Sequence, residues 1–553
     1  SRFLDIHQEI SVDVDQFFGI EIEEFPAQIA QVALWLMDHQ MNVRVSEEFG
    51  MYFARIPLKT SPHIVNGNAL TLDWNDVLPA ERASFVFGNP PFIGKHYQTA
   101  IQKSDMTAVL GALHGAGLLD YVACWYVKAA DYIHINPSID VAFVSTNSIT
   151  QGEQVAVLWS HLLAQGIHIR FAHRTFQWSN EARGMAAVHC VIIGFGVSDA
   201  EKKTIYEYED IRGVPHAVAA RNINPYLVDA PDVLLIARRA PLGNAPEMVN
   251  GSKPTDGGNL LLSDDEKYEL IAAEPLAEKW IRPFLGSEEF INNILRWCLW
   301  LKDISPAELR AMPQVMQRVE AVKVMRLAST DAQTLKDAAT PTLFQKIRQP
   351  TKPYLLIPSV SSENRRYIPI GYLQPEVIVS NLVYAIPNAT LYHFGILCST
   401  MHNAWMRYTC GRLKSDYRYS NTIVYNNYPW PDEPADKQRA AVEAAAQSVL
   451  DARAQFMFPS PASGRGAGGE GERVSAANSA SLADLYDPLT MPPALVKAHQ
   501  ALDRAVDACY RKAAFTNDAQ RVEFLFERYQ QLTSLLPMAK KTIKRKLKTN
   551  KSG

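Results

Sequence analysis

"ASFVFGNPPFIG" (residues 83–94) is an apolar run that breaks off at an asparagine and two prolines. Proline lacks a backbone donor and fixes φ, so a strand stops at Asn89-Pro90-Pro91 instead of running through it. The run Phe85-Val86-Phe87 predicts a strand buried on both faces, as in sheets covered by helices on either side. The rigid, polar, aromatic corner at its end then lies at the carboxyl edge of the sheet. Open α/β sheets bind their ligands there.

The neighbouring sequence repeats this pattern. "QFFGIEI" (16–22), "HIVNGNAL" (63–70) and "DVAFVSTNSI" (140–149) read as strands that end in polar turns. "EEFPAQIAQVALWLMDHQ" (23–40) has Pro26 near a helix start, with Ile29, Val32, Ala33 and Leu36 at helical spacing. Helices over 119–133 and 153–166 and strands at 168–173 and 186–196 complete the series. Alternating strands and helices with continuous apolar strands predict an α/β fold around a mostly parallel sheet. The turns "EIEE", "NGNAL", "NPPF" and "STNS" share one edge and form the candidate site.

Bulk properties set limits. The 553 residues allow two or three domains, and 47% apolar and 20% charged content is that of an ordinary globular protein. A net charge of -3 excludes a uniformly basic DNA-coating protein but leaves room for a local basic cleft. The six cysteines (124, 190, 298, 398, 410, 509) form no CxxC pair, which fits reduced thiols in a cytoplasm and no zinc site. No apolar run approaches the ~18 residues of a membrane helix. "SRFLDIHQEI" is neither an initiator start nor a signal peptide, so the chain reads as a piece of a longer polypeptide.

The α/β rhythm ends near residue 222. We expect the first domain over 1–222, a mixed α+β second domain over 223–432, and C-terminal helices over 433–457 and 485–536 that pair with each other. The Pro/Gly/Ser-rich stretch 458–484 reads as a disordered linker, and 537–553 as a basic tail.

The Asn89–Phe92 tetrad resembles motif IV, [DNS]PP[YFW], of the γ-type amino-group DNA methyltransferases. The blocks "FFGIEIEEFPAQIAQVALWLMDHQMN", "GNPPFIGKHYQ", "VSTNSITQGEQV" and "FAHRTFQWSNEARGMAAVHCVIIGF" are similar to the MmeI-like single-chain type IIL restriction–modification enzymes. The resemblance covers almost the whole chain apart from the linker. It implies a Rossmann-like class I methyltransferase sheet and a target-recognition domain. The implied reaction is methyl transfer from S-adenosylmethionine to adenine N6 in duplex DNA, by direct attack without a metal or a covalent enzyme intermediate.

The chemistry suits these residues. An exocyclic amine is a poor nucleophile until hydrogen bonds from both its N–H groups are accepted. Asn89 offers a side-chain carbonyl and Pro90 a main-chain one, with Pro91 stiffening the corner. Phe92 can stack on a base turned out of the duplex. The family's second stacking aromatic corresponds to Phe176, with Trp178 as runner-up, and either ring could instead be core. By the resemblance, Glu21 ends motif II and binds the cofactor's ribose, while Glu23 and Glu24 face solvent. Asn68 and Ala69 in motif III border its adenine, where many relatives carry an acid at the Asn68 position. Ile22 packs the cofactor, whereas Asp73 and Trp74 are structural.

The family's glycine-rich motif I and its strand are missing, so the first strand of the sheet is expected from sequence preceding Ser1, in a part that in type IIL enzymes also carries a nuclease. "VEAVK" (319–323) lies in a helical context and is no nuclease motif. In the recognition domain, Arg365, Arg366, Arg412, Lys414 and Arg418 are candidates for phosphate or base contacts, set against an exposed salt-bridged face. "WIRPFLGSEEFINNILRWCLWL" (280–301) suits either recognition or a buried scaffold. Two other readings stand beside the first: N4-cytosine methylation by the same motif, and an inactive DNA-recognition remnant.

Overall fold

The computed structural model describes residues 11–50, 61–178, 188–413, 415–456 and 480–534. It divides into two compact units, Ser1–Leu234 and Leu235–Gly553.

The first unit contains two separate sheets. Strands β1 (Phe18–Glu21) and β2 (His63–Asn66) pair in parallel, Phe18 opposite His63 through Glu21 opposite Asn66. Helix α1 (Glu24–Phe49) connects them. The second sheet takes β3 (Phe85–Gly88), β4 (Asp140–Thr146), β5 (His168–Trp178), β6 (Val188–Gly196), β7 (Lys203–Glu207) and β8 (His216–Ala220) in the order β3-β4-β6-β5-β7-β8. β3 and β4 are parallel, but β6 runs antiparallel between β4 and β5. The sheet is therefore mixed, and β7 and β8 extend it beyond the expected strands.

Helices α2 (Ala100–Leu110), α3 (Ala123–Ile133) and α4 (Glu153–Ala164) belong to the same unit. Burial alternates along β4 because successive side chains point to opposite faces. On one of those faces Tyr126 of α3 stacks on Phe195 at 5.3 Å and meets Phe143 and Trp159 edge-on, and its hydroxyl lies 2.8 Å from Ser145 Oγ.

Two expectations about burial fail. Phe85 and Phe87 are 69% and 74% exposed, so β3 is bare on the face they share. On α1, Ile29, Val32 and Leu36 are all more than half exposed, whereas Ala27 and Asn42 are buried. The physical reason is the same in both cases: among the described residues, nothing lies over these apolar faces.

In the second unit, "WIRPFLGSEEFINNILRWCLWL" supplies the buried Phe284, Cys298, Leu299 and Leu301, so it is scaffold. Helix α5 (Pro313–Leu327) packs Val315, Val319 and Val322 into the same core and includes "VEAVK". The fully buried Arg326 guanidinium donates to the carbonyls of Pro254, Thr255, Asp337, Thr340 and Leu343.

Helices α6 (Leu391–Cys398), α7 (Thr400–Thr409), α8 (Asp436–Ala454), α9 (Pro493–Tyr510) and α10 (Asp518–Ser534) pack together, with α8 against α9 as expected. Gly395 is required at one crossing, because a Cβ there would meet Val442 at 2.7 Å and Leu502 at 3.2 Å. The expected linker lies mostly outside the described residues, as does the basic tail. The last five residues of the expected linker, 480–484, are described. Ser481 caps a short helix, Leu482–Leu485, whose two leucines are buried.

Candidate active site

β1, β2, β3 and β4 each end one residue or less before a polar turn foreseen in the sequence. A cavity of about 870 Å³ lies between β1 and β3. Its lining includes Glu21, Ile22, Asn68, Ala69, Asn89, Pro90 and Pro91. Seven of the proposed site residues are thus brought together, four from the β1–β2 side and three from the end of β3.

On the β3 side, Asn89 is exposed and Pro90 is buried. Among the described residues, no group donates to the Asn89 side chain or to the Pro90 carbonyl. Both acceptors are therefore free, and Pro90 and Pro91 restrict the backbone that carries them. Phe92 is half-buried beside the cavity and does not line it.

The loop after this corner is tied down by Asp120, which is only 9% exposed. One carboxylate oxygen accepts from the Lys95 amide at 3.1 Å, and the other accepts from Ser148 Oγ at 2.5 Å. The Tyr121 amide donates to the Ile93 carbonyl at 2.9 Å. The exits of β3 and β4 are therefore joined through one carboxylate.

On the β1–β2 side, one oxygen of Glu21 accepts from the Glu23 amide at 3.3 Å, and Glu23 and Glu24 are exposed. Asn68 is fully oriented: its Oδ1 accepts from the Leu70 amide at 2.9 Å and its Nδ2 donates to Asp105 at 3.1 Å. Asp105 also accepts from the Tyr121 hydroxyl at 2.7 Å. Burial, reinforced by that bond, pushes the Tyr121 hydroxyl pKa well above its ordinary value. Burial, with Asp105 nearby, pushes the Cys124 thiol up to about 12, so it stays protonated. Trp74 Nε1 donates to the Ala69 carbonyl at 2.9 Å, and Lys128 donates to the carbonyls of Leu70 and Leu72. Asp73 caps a short helix through the Asn75 amide, and the structural role expected of Asp73 and Trp74 is what these contacts describe.

Asp105, Tyr121 and Asp120 were missed in the sequence. Asp120-Tyr121 stands at the start of a helix and Asp105 inside one, and neither position has a spacing that marks it.

Phe176 and Trp178 lie together on β5 with ring centres 6.0 Å apart, next to a bulge, and Phe176 stacks on Tyr208 at 5.3 Å. Neither lines the cavity. Trp178 is 43% exposed, and residues 179–187, which follow it, lie outside the described residues.

In the second unit, three short strands gather the recognition candidates. β9 (Val360–Ser361) pairs with β11 (Asp416–Arg418), which pairs with β10 (Gly411–Leu413). Arg418 and Arg366 are exposed. Arg365 is half-buried near Asp416 and Asp487, and burial lowers its pKa from the ordinary value. Arg412 is bound internally, to Glu363 at 3.2 Å and the Ser415 carbonyl at 2.6 Å, and lies over the Tyr417 ring at 4.1 Å. Lys414 lies outside the described residues.

Three stretches of the chain match family descriptions: residues 2–207 "MmeI, DNA-methyltransferase domain", residues 229–432 "MmeI, target recognition domain" and residues 473–537 "MmeI, C-terminal domain". The chain is 38% identical over 526 residues to "DNA methyltransferase A" of Bacillus subtilis (strain 168). That match takes in 95% of the chain and 56% of the relative, so the chain spans little more than half of that protein's length. It is also similar to the solved structure of the type IIL restriction–modification enzyme MmeI in complex with DNA. There the identity is 55% and the TM-score 0.81, with 96% of this chain and 68% of that one covered. No helix among the described residues is long and apolar enough to cross a membrane.

Proposed function

The chain belongs to the MmeI-like type IIL restriction–modification family, and from that premise we propose that it methylates the N6 amine of adenine in a short, specific stretch of duplex DNA, with S-adenosylmethionine as donor. The observation that carries this reading is the pair of free acceptors, Asn89 Oδ1 and the Pro90 carbonyl, on the cavity that Glu21 and Asn68 also line.

The residues present fit such a donor. Glu21 keeps a carboxylate oxygen for ribose hydroxyls, and the Asn68-Ala69 turn and Ile22 offer a polar and apolar rim for an adenine ring. Bound S-adenosylmethionine supplies an electrophilic methyl group on sulfonium. The chain's own residues prepare the amine. The Asn89 Oδ1 and the Pro90 carbonyl accept hydrogen bonds from its two N–H groups, so its lone pair leaves conjugation with the ring and points outward. Because both acceptors sit on a proline-stiffened corner, little reorganisation accompanies the reaction. Phe92 provides one stacking face for a base turned out of the duplex, and Phe176 or Trp178 the other. Arg365, Arg366, Lys414 and Arg418 contact DNA phosphates or base edges from the second unit.

The cavity also points to a missing strand. β1 is paired only with β2, and β3 only with β4, so among the described residues both facing edges are unpaired. We propose that a strand of the same polypeptide, preceding Ser1, enters this slot and supplies the glycine-rich turn of the family. The same bare edges favour a second reading, in which the chain as it stands recognises DNA without modifying it.

One experiment separates these readings. The chain is incubated with adenine-containing duplex and labelled S-adenosylmethionine, with and without the preceding segment, and the modified nucleoside is identified. N6-methyladenine is expected once the segment is present. N4-methylcytosine would replace the adenine assignment. Absence of label in both arms, with DNA still bound, would leave the recognition remnant.

A further inference from the structure

The loop that carries Arg365 and Arg366 is held from below by the C-terminal helices. Four anchors between residues 366 and 370 fix its downstream flank. The Arg366 carbonyl accepts from Arg407 of α7, whose guanidinium also pairs with Asp518 of α10 at 2.9 Å. The Tyr367 hydroxyl donates to Asp503 of α9 at 2.8 Å, and its ring stacks on His499 with centres 4.0 Å apart. The Ile368 amide donates to Asn403 of α7 at 2.9 Å, and the Ile370 carbonyl accepts from Arg453 of α8 at 2.6 Å.

Asp503 is the hub. It is 7% exposed and also accepts from the amide and hydroxyl of Thr400, at 2.6 and 2.7 Å. A buried carboxylate with three donors is a rigid anchor, because moving any one of them leaves charge unsatisfied in a low-dielectric site. The upstream half of the loop is tied differently, by the Glu363–Arg412 pair to the β10–β11 hairpin. The exposed Arg366 side chain therefore rises from a backbone that cannot shift on its own.

We propose that helices α7 to α10 are a positioning element for DNA reading: through Tyr367–Asp503 and Arg407–Asp518 they set the placement of residues 362–366, and hence which bases are preferred. This inference rests on the reading of that loop as a DNA-contacting surface. Tyr367 and Asp503 are positioning residues and touch no base themselves.

The test uses the full chain with Tyr367→Phe, which keeps the ring on His499 and removes one hydrogen bond. Asp518→Asn, farther from the core, is the second variant. Two readouts are taken: amide hydrogen exchange over 362–366, and base preference in selection from a random-sequence duplex pool. Exchange is expected to rise, and discrimination between best and mismatched sites to fall, by about tenfold, the scale of one hydrogen bond to a charged group. Affinity for non-specific duplex should stay unchanged. A lowered thermal midpoint with unaltered base preference in both variants would overturn the proposal, since the helices would then be structural only. If the unaltered chain selects no sequence from the pool, the DNA-reading assignment falls and the proposal with it. The exchange data would still report whether the helices hold the loop.

Discussion

Removing the carboxylate of Asp120 should loosen the corner that carries Asn89 and Pro90. Asp120→Ala deprives the Lys95 amide and Ser148 Oγ of their acceptor, at a site that is 9% exposed. A hydrogen bond to a charged group contributes about 1.5–3 kcal/mol. Both of these bonds are only partly buried, so the lower end applies, giving roughly 3 kcal/mol for the pair. At 1.4 kcal/mol per factor of ten, local opening of the loop becomes ~10²-fold more frequent. Amide hydrogen exchange at Lys95, and at Tyr121, whose amide is bonded to Ile93, reads that opening directly. Ser148→Ala is the control. It leaves the Lys95 bond in place and should speed exchange there by less than about tenfold. Exchange at Lys95 in Asp120→Ala within about threefold of the unaltered chain would refute the bracing role.

Other outcomes follow from the same structure. Asn89→Ala should slow methyl transfer by about 10²–10³-fold, the usual loss when one preorganised hydrogen-bonding group is removed. Duplex affinity should change little, and Asn89→Asp, which keeps an acceptor, should lose less; single-turnover label transfer distinguishes them. Arg326→Met leaves five carbonyls without their donor, so the second unit should lose at least about 3 kcal/mol, read as a fall in urea midpoint. Arg326→Lys should recover only part of it, because an ammonium has three donors. Burial lowers the His402 pKa to about 3, so the imidazole stays neutral in the fold while the unfolded chain protonates it below about 6.5. Its contribution to stability is therefore fully present above pH 6.5 and is lost as pH falls from 6.5 toward 3. His402→Gln should flatten the pH dependence of the urea midpoint in that window.

The sheet edge was legible in the sequence because a polar turn directly after an apolar strand marks the point where the chain leaves the core. That one pattern marked the turns holding Asn89, Pro90, Glu21 and Asn68, the family resemblance singled out Glu21 and Asn68 within them, and the structure gathers all four on one cavity. Burial was less legible. Phe85, Phe87 and the Ile29–Leu36 stripe are apolar enough for a core, but composition does not say which neighbour covers them, and here none of the described residues does. Asp105 and Asp120 were invisible because a lone acid in or before a helix is ordinarily solvated; only the fold brings Asn68, Tyr121, Lys95 and Ser148 to them. The arginines of the second unit were visible as a cluster. Their division into exposed (Arg366, Arg418) and internally committed (Arg412) depended on Glu363 and Tyr417, which no spacing rule connects to them.

The two sheets of the first unit have a mechanical consequence. Glu21 and Asn68 ride on the β1–β2 pair, Asn89 and Pro90 on the end of β3, and no strand pairing among the described residues connects the two platforms. Asn68 bonded to Asp105 of α2, and Lys128 of α3 bonded to the Leu70 and Leu72 carbonyls, span that seam instead, so the spacing between the platforms is set there by side chains and not by a ladder of backbone bonds.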